Sequence, residues 1–410
     1  MNIRLTSQEL CLRVLDINLI GAKICVEMRV IMRKEKLIKT LKHNCKKKFA
    51  TLVAAAVIMS SATVEYPFNA EIVSAANKKA SVVKAGKASI TTTNGKAVVS
   101  KKSRTVTLTK NGTYTLSGNF GAYRIIMNKR SMNVTLRLNG VTMSNSKTAC
   151  IYNTKKSANL SIQLVKGTRN ILMGPMAFPE VAGKTGSKKV SPDAVVMSDG
   201  NLKISGSGRL NVKDTSSNGN AIDSKKDINI SAGDIFIVSK KYGIHADNVN
   251  IGGGDISVTS SDTGIKASQK VVINGGSVLV DAIDKGIQGR TGVIVKKGSI
   301  SVKTRKNSGT KYEDFRGIAA GRSGKNGKTA VSANVDISGG KININSYGDC
   351  IHASANVNIT DGTLSLTSTA EHGIRAKQTL SVKSSVKISI SSKKKKVKAA
   401  KQEIASNIKL

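Results

Sequence analysis

The sequence predicts an all-β chain wound as a parallel β-helix, a solenoid of about 21–23 residues per coil with three short strands in each. The first observation is a phrase centred on isoleucine that returns at Ile222, Ile244, Ile265, Ile287, Ile318, Ile351 and Ile374. Its spacings are 22, 21, 22, 31, 33 and 23 residues, and a repeat near this length marks stacked structural units. The second is what lies between the phrases: pairs of aliphatic residues two apart, such as Val249 and Ile251, then a glycine turn such as Gly275-Gly276, then a second pair such as Val278 and Val280. Period-two alternation sends all of these side chains to one side of a strand, and glycine permits the sharp turn between strands. The third is composition. Aromatic residues make up 3% of the 410 and tryptophan is absent, which suits a narrow interior filled by Val, Ile and Leu.

Taken in chain order, residues 1–75 read as a secretory signal region. Lys46-Lys47-Lys48 precedes an apolar run over residues 49–59, and small residues follow at 60–62 and 73–75. Eleven apolar residues are too few to cross a bilayer, so no transmembrane anchor is expected. Translation from Met32 and cleavage after Ala75 fit this order best, with cleavage after Ala62 the alternative. Residues 76–112 are polar and lysine-rich and read as a leader or linker. The β-helix itself is expected over residues 113–390, beginning with the alternations Tyr114/Leu116 and Leu136/Leu138. Residues 171–193 read as a loop folded over the coil face, with Met173, Met176 and Phe178 as packing residues. Residues 391–410, with the lysine run 393–396, read as a solvated tail.

Cys150 and Cys350 both precede an isoleucine of the repeat. They therefore occupy equivalent slots many coils apart, at about 4.8 Å per coil, and are too distant to form a disulfide.

The charge balance is 66 Lys and Arg against 25 Asp and Glu, a formal +41. A surface this basic attracts polyanions. No nucleic-acid-binding motif or aromatic stacking platform accompanies it, so specific nucleic-acid binding is not expected. The four histidines show no spacing of a serine–histidine–acid or zinc centre, and hydrolase chemistry is not expected either.

The run Asp193-Ala194-Val195-Val196-Met197-Ser198-Asp199-Gly200-Asn201-Leu202, with the phrases Tyr242-Gly243-Ile244-His245-Ala246-Asp247 and Asp284-Lys285-Gly286-Ile287-Gln288, resembles the clostridial carbohydrate-binding β-helix family. The resemblance covers about residues 113–390. It implies a secreted, calcium-associated, right-handed β-helix that binds acidic plant polysaccharide such as polygalacturonate, related in fold to pectate lyases and without an established catalytic role. This chain is far more basic and poorer in acid clusters than that pattern.

Two sets of candidate site residues follow from the period. The residue after each isoleucine faces outward, which makes His245, Lys266, His352 and Arg375 candidates for binding carbohydrate. The two long intervals carry insertions, which in solenoids gather on one binding face. They add Arg305, Lys306, Lys311, Tyr312 and Arg322, and the repeat phrase between them adds Arg316; their guanidinium, ammonium and aromatic groups suit uronate carboxylates and sugar rings. Corner acids at Asp262, Asp284, Asp349 and Glu371 are candidates for calcium, with pairing to neighbouring lysines as the competing reading. Three functions remain open: a secreted binder of acidic polysaccharide, a polysaccharide lyase, and a wall-associated adhesin held by anionic cell-wall polymers. Each places the protein outside the cell or on its wall.

Overall fold

Because inward aliphatics recur every second residue, each coil buries one stripe of side chains and leaves its backbone groups to be paired by the coils on either side. The computed structural model describes residues 80–410 except 183–187, 191, 218, 307–313 and 323–329. The expected signal region, and with it Lys311 and Tyr312, lies outside the described residues. Among the described residues every regular element is a strand. The described residues fall within one compact unit.

The strands stack as a parallel β-helix with three strands per coil. The isoleucine phrases make one face, a 13-stranded sheet in which Ile244, Ile265, Ile287, Ile318, Ile351 and Ile374 are direct register partners. The other two strands of each coil form two ladders. These fuse into a 21-stranded sheet where the chain runs through the corner without a break, as in Asn334–Ser346 and Val357–Ser368. The repeat isoleucines are all but fully buried, in a core that runs through the whole coil stack.

Glycine serves this fold in two different ways. At the turn between the second and third strands, Gly254, Gly276, Gly298 and Gly340 have φ of +93°, +83°, +109° and +98°, a backbone conformation costly for other residues. The glycine that precedes five of the seven isoleucines has no such φ. A Cβ on Gly286 would stand 2.1 Å from Val302 Cγ1 and 2.7 Å from the Gly317 carbonyl oxygen of the next coil. That carbonyl accepts the Ile287 N–H at 2.9 Å. Gly243, Gly264, Gly317 and Gly373 have equivalent contacts, so here glycine sets how closely coils approach.

Both ends differ from the sequence reading. Residues expected as a leader form strands from Ser81 onward: Ser81–Ala85 pairs antiparallel with Ala88–Thr92, and Ala97–Ser100 antiparallel with Thr105–Leu108. These hairpins close the end of the core with Ile90, Val106 and Leu108, beside the buried Tyr114 and Phe120. Lysines on the outward positions obscure their alternation. At the other end, Lys387–Ser392, Val397–Lys398 and Lys401–Ile404 complete a further coil, with Val397 in register with Ile374. The lysine run is a corner of that coil: the Lys396 carbonyl accepts the Ile374 N–H, and Lys394 pairs with Glu371.

The loop after Leu172 does fold back on the coils. The first residues of the expected loop, 171–173, are instead the end of the strand Arg169–Met173; Phe178 is buried, whereas Met173 and Met176 are exposed. Cys150 and Cys350 are buried free thiols, pushed up to about 12 and about 11 by burial.

Candidate functional site

The outward residue of each isoleucine strand forms a single row: Asp223, His245, Lys266, Gln288, Ala319, His352, Arg375 and Lys398 pair in that order from coil to coil. The two insertions enter and leave the Ile318–Ala320 strand of the same sheet. Their described ends, Asp314 and Arg316 on one side and Arg322 and residues 330–332 on the other, therefore stand over this row. Between them lies an open cleft of about 760 Å³. Its floor is Ala320, His352, Ser354, Arg375, Lys377, Gln378 and Lys398. Three arginines, two lysines and one histidine thus converge on a space whose described lining contains one carboxylate, Asp314.

The charges are held in place by a buried acid. Asp349, whose side chain is 3% exposed, accepts His352 Nδ1–H at 2.9 Å and His372 Nδ1–H at 3.1 Å, and the His372 backbone N–H as well. The guanidinium groups of Arg316 and Arg375 stand 4.0 and 3.9 Å from it. Burial opposes ionisation of this carboxyl, but the bonds from His352 and His372 outweigh it and hold the group down at about 2. Asp349 therefore stays anionic at any ordinary pH and anchors the cationic wall of the cleft. Burial lowers the basicity of His352, with the Asp349 bond opposing it and Arg316 adding to it. Its Nδ1–H is committed to Asp349. Arg316 also pairs with Asp314 at 3.0 Å.

Of the residues expected from sequence to bind carbohydrate, Arg316, Arg322, His352 and Arg375 meet in this cleft. His245 and Lys266 share the outward row but lie coils away. Lys266 Nζ donates to the Tyr242 hydroxyl at 2.5 Å and stands 3.9 Å over that ring, with its pKa lowered by burial. Arg305 is elsewhere: it follows the strand Ser299–Thr304 of the other sheet and pairs with Asp281 at 2.7 Å. Lys306 stands 5.6 Å over the Tyr347 ring. Two cleft residues, Lys377 and Lys398, were not expected. Lys398 is the register partner of Arg375, and reading the repeat one coil further identifies it.

The corner acids split into two groups. Asp284 is bound by Lys285 at 2.8 Å through both oxygens, and its pKa is raised by burial against the pull of that lysine. The Asp262 carbonyl accepts the Asp284 backbone N–H. Asp349, Glu371 and His372 bring one ligand atom each within 4.8 Å of one another. This set does not fit calcium, which takes six to eight oxygens. Both Asp349 oxygens accept histidine N–H groups, Arg316 and Arg375 stand beside it, and Glu371 is engaged by Lys394 at 2.5 Å.

None of the curated proteins compared matches the chain. A solved structure, that of a polysaccharide lyase-like protein from C. thermocellum prepared as a gadolinium derivative, is 22% identical to it. The match covers 76% of this chain and 90% of that one with a TM-score of 0.37, too loose a superposition to bear on the cleft. The family described as carbohydrate-binding domain-containing protein matches residues 102–371. That span runs from the N-terminal cap to the acid corner of the cleft and takes in more than half the sequence, so the chain belongs to this family of carbohydrate-binding domain-containing proteins.

Proposed function

We propose that the protein binds acidic polysaccharide of the polygalacturonate type in a cleft that holds the glycan without cleaving it, and that it acts outside the cell or at its wall. The observation that carries the reading is the convergence of Arg316, Arg322 and Arg375 with Lys377 and Lys398 on one open cleft of a carbohydrate-binding domain. A polyuronate presents a carboxylate on every sugar, and in the cleft Arg375 and Lys398 stand on successive coils, about 4.8 Å apart. Guanidinium groups pair with carboxylates in a two-pronged, charge-assisted geometry. In this reading the arginines take the part that a metal ion plays in a calcium-bridged complex, and binding does not depend on calcium.

The test is a calorimetric titration of the full chain with oligogalacturonate, its fully methyl-esterified form and teichoic acid, at low and physiological salt, with calcium and with chelator. The expected result is binding of the free acid that persists at physiological salt and in chelator, with the methyl ester at least tenfold weaker. Equal binding of all polyanions, erased by salt, would instead favour a wall adhesin held by charge alone. A lyase has its own observation in the cleft, since His352 has Nδ1 tied to Asp349 beside two arginines. Growth of ultraviolet absorbance from unsaturated product during the titration would replace binding by elimination.

A further inference from the structure

The sequence offers no serine–histidine–acid spacing, yet the coil stack assembles one. Asp223, His245 and Ser268 come from three successive coils. His245 Nδ1 donates to Asp223 Oδ2 at 2.7 Å, and His245 Nε2 is 3.5 Å from Ser268 Oγ. Asp223 is buried, with a side chain 5% exposed, and Asn220 Nδ2 donates to the same oxygen at 2.8 Å. With Nδ1–H committed to Asp223, a neutral His245 presents the Nε2 lone pair to the Ser268 hydroxyl. His245 is 26% exposed and Ser268 half-buried, so both are open to a ligand on the outer face. A nucleophile, a base and a residue that orients the base, joined in that order, are the arrangement that activates a serine, and its bonds are often long before substrate binds.

We infer that Asp223, His245 and Ser268 form a serine-esterase centre acting on O-acyl esters carried by the glycan. For the substrate class the inference rests on the proposed binding of polysaccharide. His245 lies on the same outward row as His352, four coils away or about 19 Å at 4.8 Å per coil, so a glycan held in the cleft reaches Ser268 by extending along the row. Ser268 Oγ attacks the ester carbonyl carbon and its proton passes to His245 Nε2. The bond from that carbon to the sugar oxygen breaks, and the sugar oxygen takes the proton from His245. Water then attacks the acyl-serine, giving a proton to His245, which returns it to Ser268 Oγ as the carboxylic acid leaves.

The test treats the full chain with a fluorophosphonate probe and, separately, with O-acetylated polygalacturonate. The expected results are a covalent label on the peptide containing Ser268 and release of acetate. Both are abolished in Ser268→Ala and slowed at least a hundredfold in His245→Gln, while Ser268→Ala still binds oligogalacturonate. Asp223 acts as a positioning residue. Asp223→Asn is expected to lose the plateau of the pH–rate profile, with the rate climbing with hydroxide, while its thermal melt stays close to that of the parent. A wild-type chain that binds oligogalacturonate but neither takes the label at Ser268 nor releases acetate overturns the inference, as does acetate release that survives Ser268→Ala. Labelling at Ser268 without oligogalacturonate binding keeps the centre and rejects the polysaccharide reading.

Discussion

Replacing Arg316 and Arg375 together by glutamine lowers the affinity for oligogalacturonate by two orders of magnitude or more. Each guanidinium forms a charge-assisted pair with a carboxylate, and such bonds contribute about 1.5–3 kcal/mol apiece, so losing two is about a hundredfold at the least. The two arginines are not merely surface charges. Arg316 has a side chain only 20% exposed, with its basicity lowered by burial against the pull of Asp314 and Asp349, and both stand about 4 Å from the buried Asp349. That anchoring removes much of the rotamer entropy that binding would otherwise cost. Arg305→Gln with Lys306→Gln is the matched control: it removes two positive charges outside the cleft, one paired with Asp281 and one over the Tyr347 ring, and leaves affinity within about twofold. Calorimetry of the two variants distinguishes the cleft from the overall charge. Equal losses would mean that net charge, not the cleft, holds the ligand.

The second large effect is on stability. Gly286→Val is expected to destabilise the chain by about 3 kcal/mol, lowering its thermal midpoint by several degrees. The new side chain would meet Val302 and the Gly317 carbonyl at distances that no Cβ tolerates, so either the side chain of Val302 or the neighbouring coil must move. Moving the coil stretches the bond from Ile287 N–H to Gly317 and disturbs the strand Ile318–Ala320, which is part of the cleft floor. The substitution therefore weakens oligogalacturonate binding as well. An unchanged midpoint, measured by scanning calorimetry, would contradict the close coil contact on which this account of the repeat rests.

The isoleucine phrases were legible because inward positions tolerate little but Val, Ile and Leu, and a period of two fixes their side. That is why the phrases at Ile244 and Ile374 align in the sheet as their spacing requires, even across the two insertions. The cap was not legible. In Ala88–Thr92 and Thr105–Leu108 the inward residues include alanine and threonine, and antiparallel pairing at a chain end follows no repeat. The cleft was half legible. Arg375 and His352 follow from the outward row, whereas Arg305 and Arg316, only 11 residues apart in sequence, stand at different sheets, Arg305 beside Asp281 and Arg316 in the cleft. The role of Asp349 could not be read at all: its partner His372 comes from the next coil, and only register brings the two together. The same holds for Ser268 and His245, which are 23 residues apart along the chain and 3.5 Å apart at their polar atoms.

Hydrogen exchange of the full chain, with and without oligogalacturonate, tests the central claim most directly. The account predicts new protection confined to the Ile318–Ala320, Ile351–Ala353, Ile374–Ala376 and Val397–Lys398 strands and to the residues just after the first and third, Arg322 and Lys377 among them. Protection centred on the 21-stranded sheet, or spread evenly over every lysine-bearing face, would contradict it.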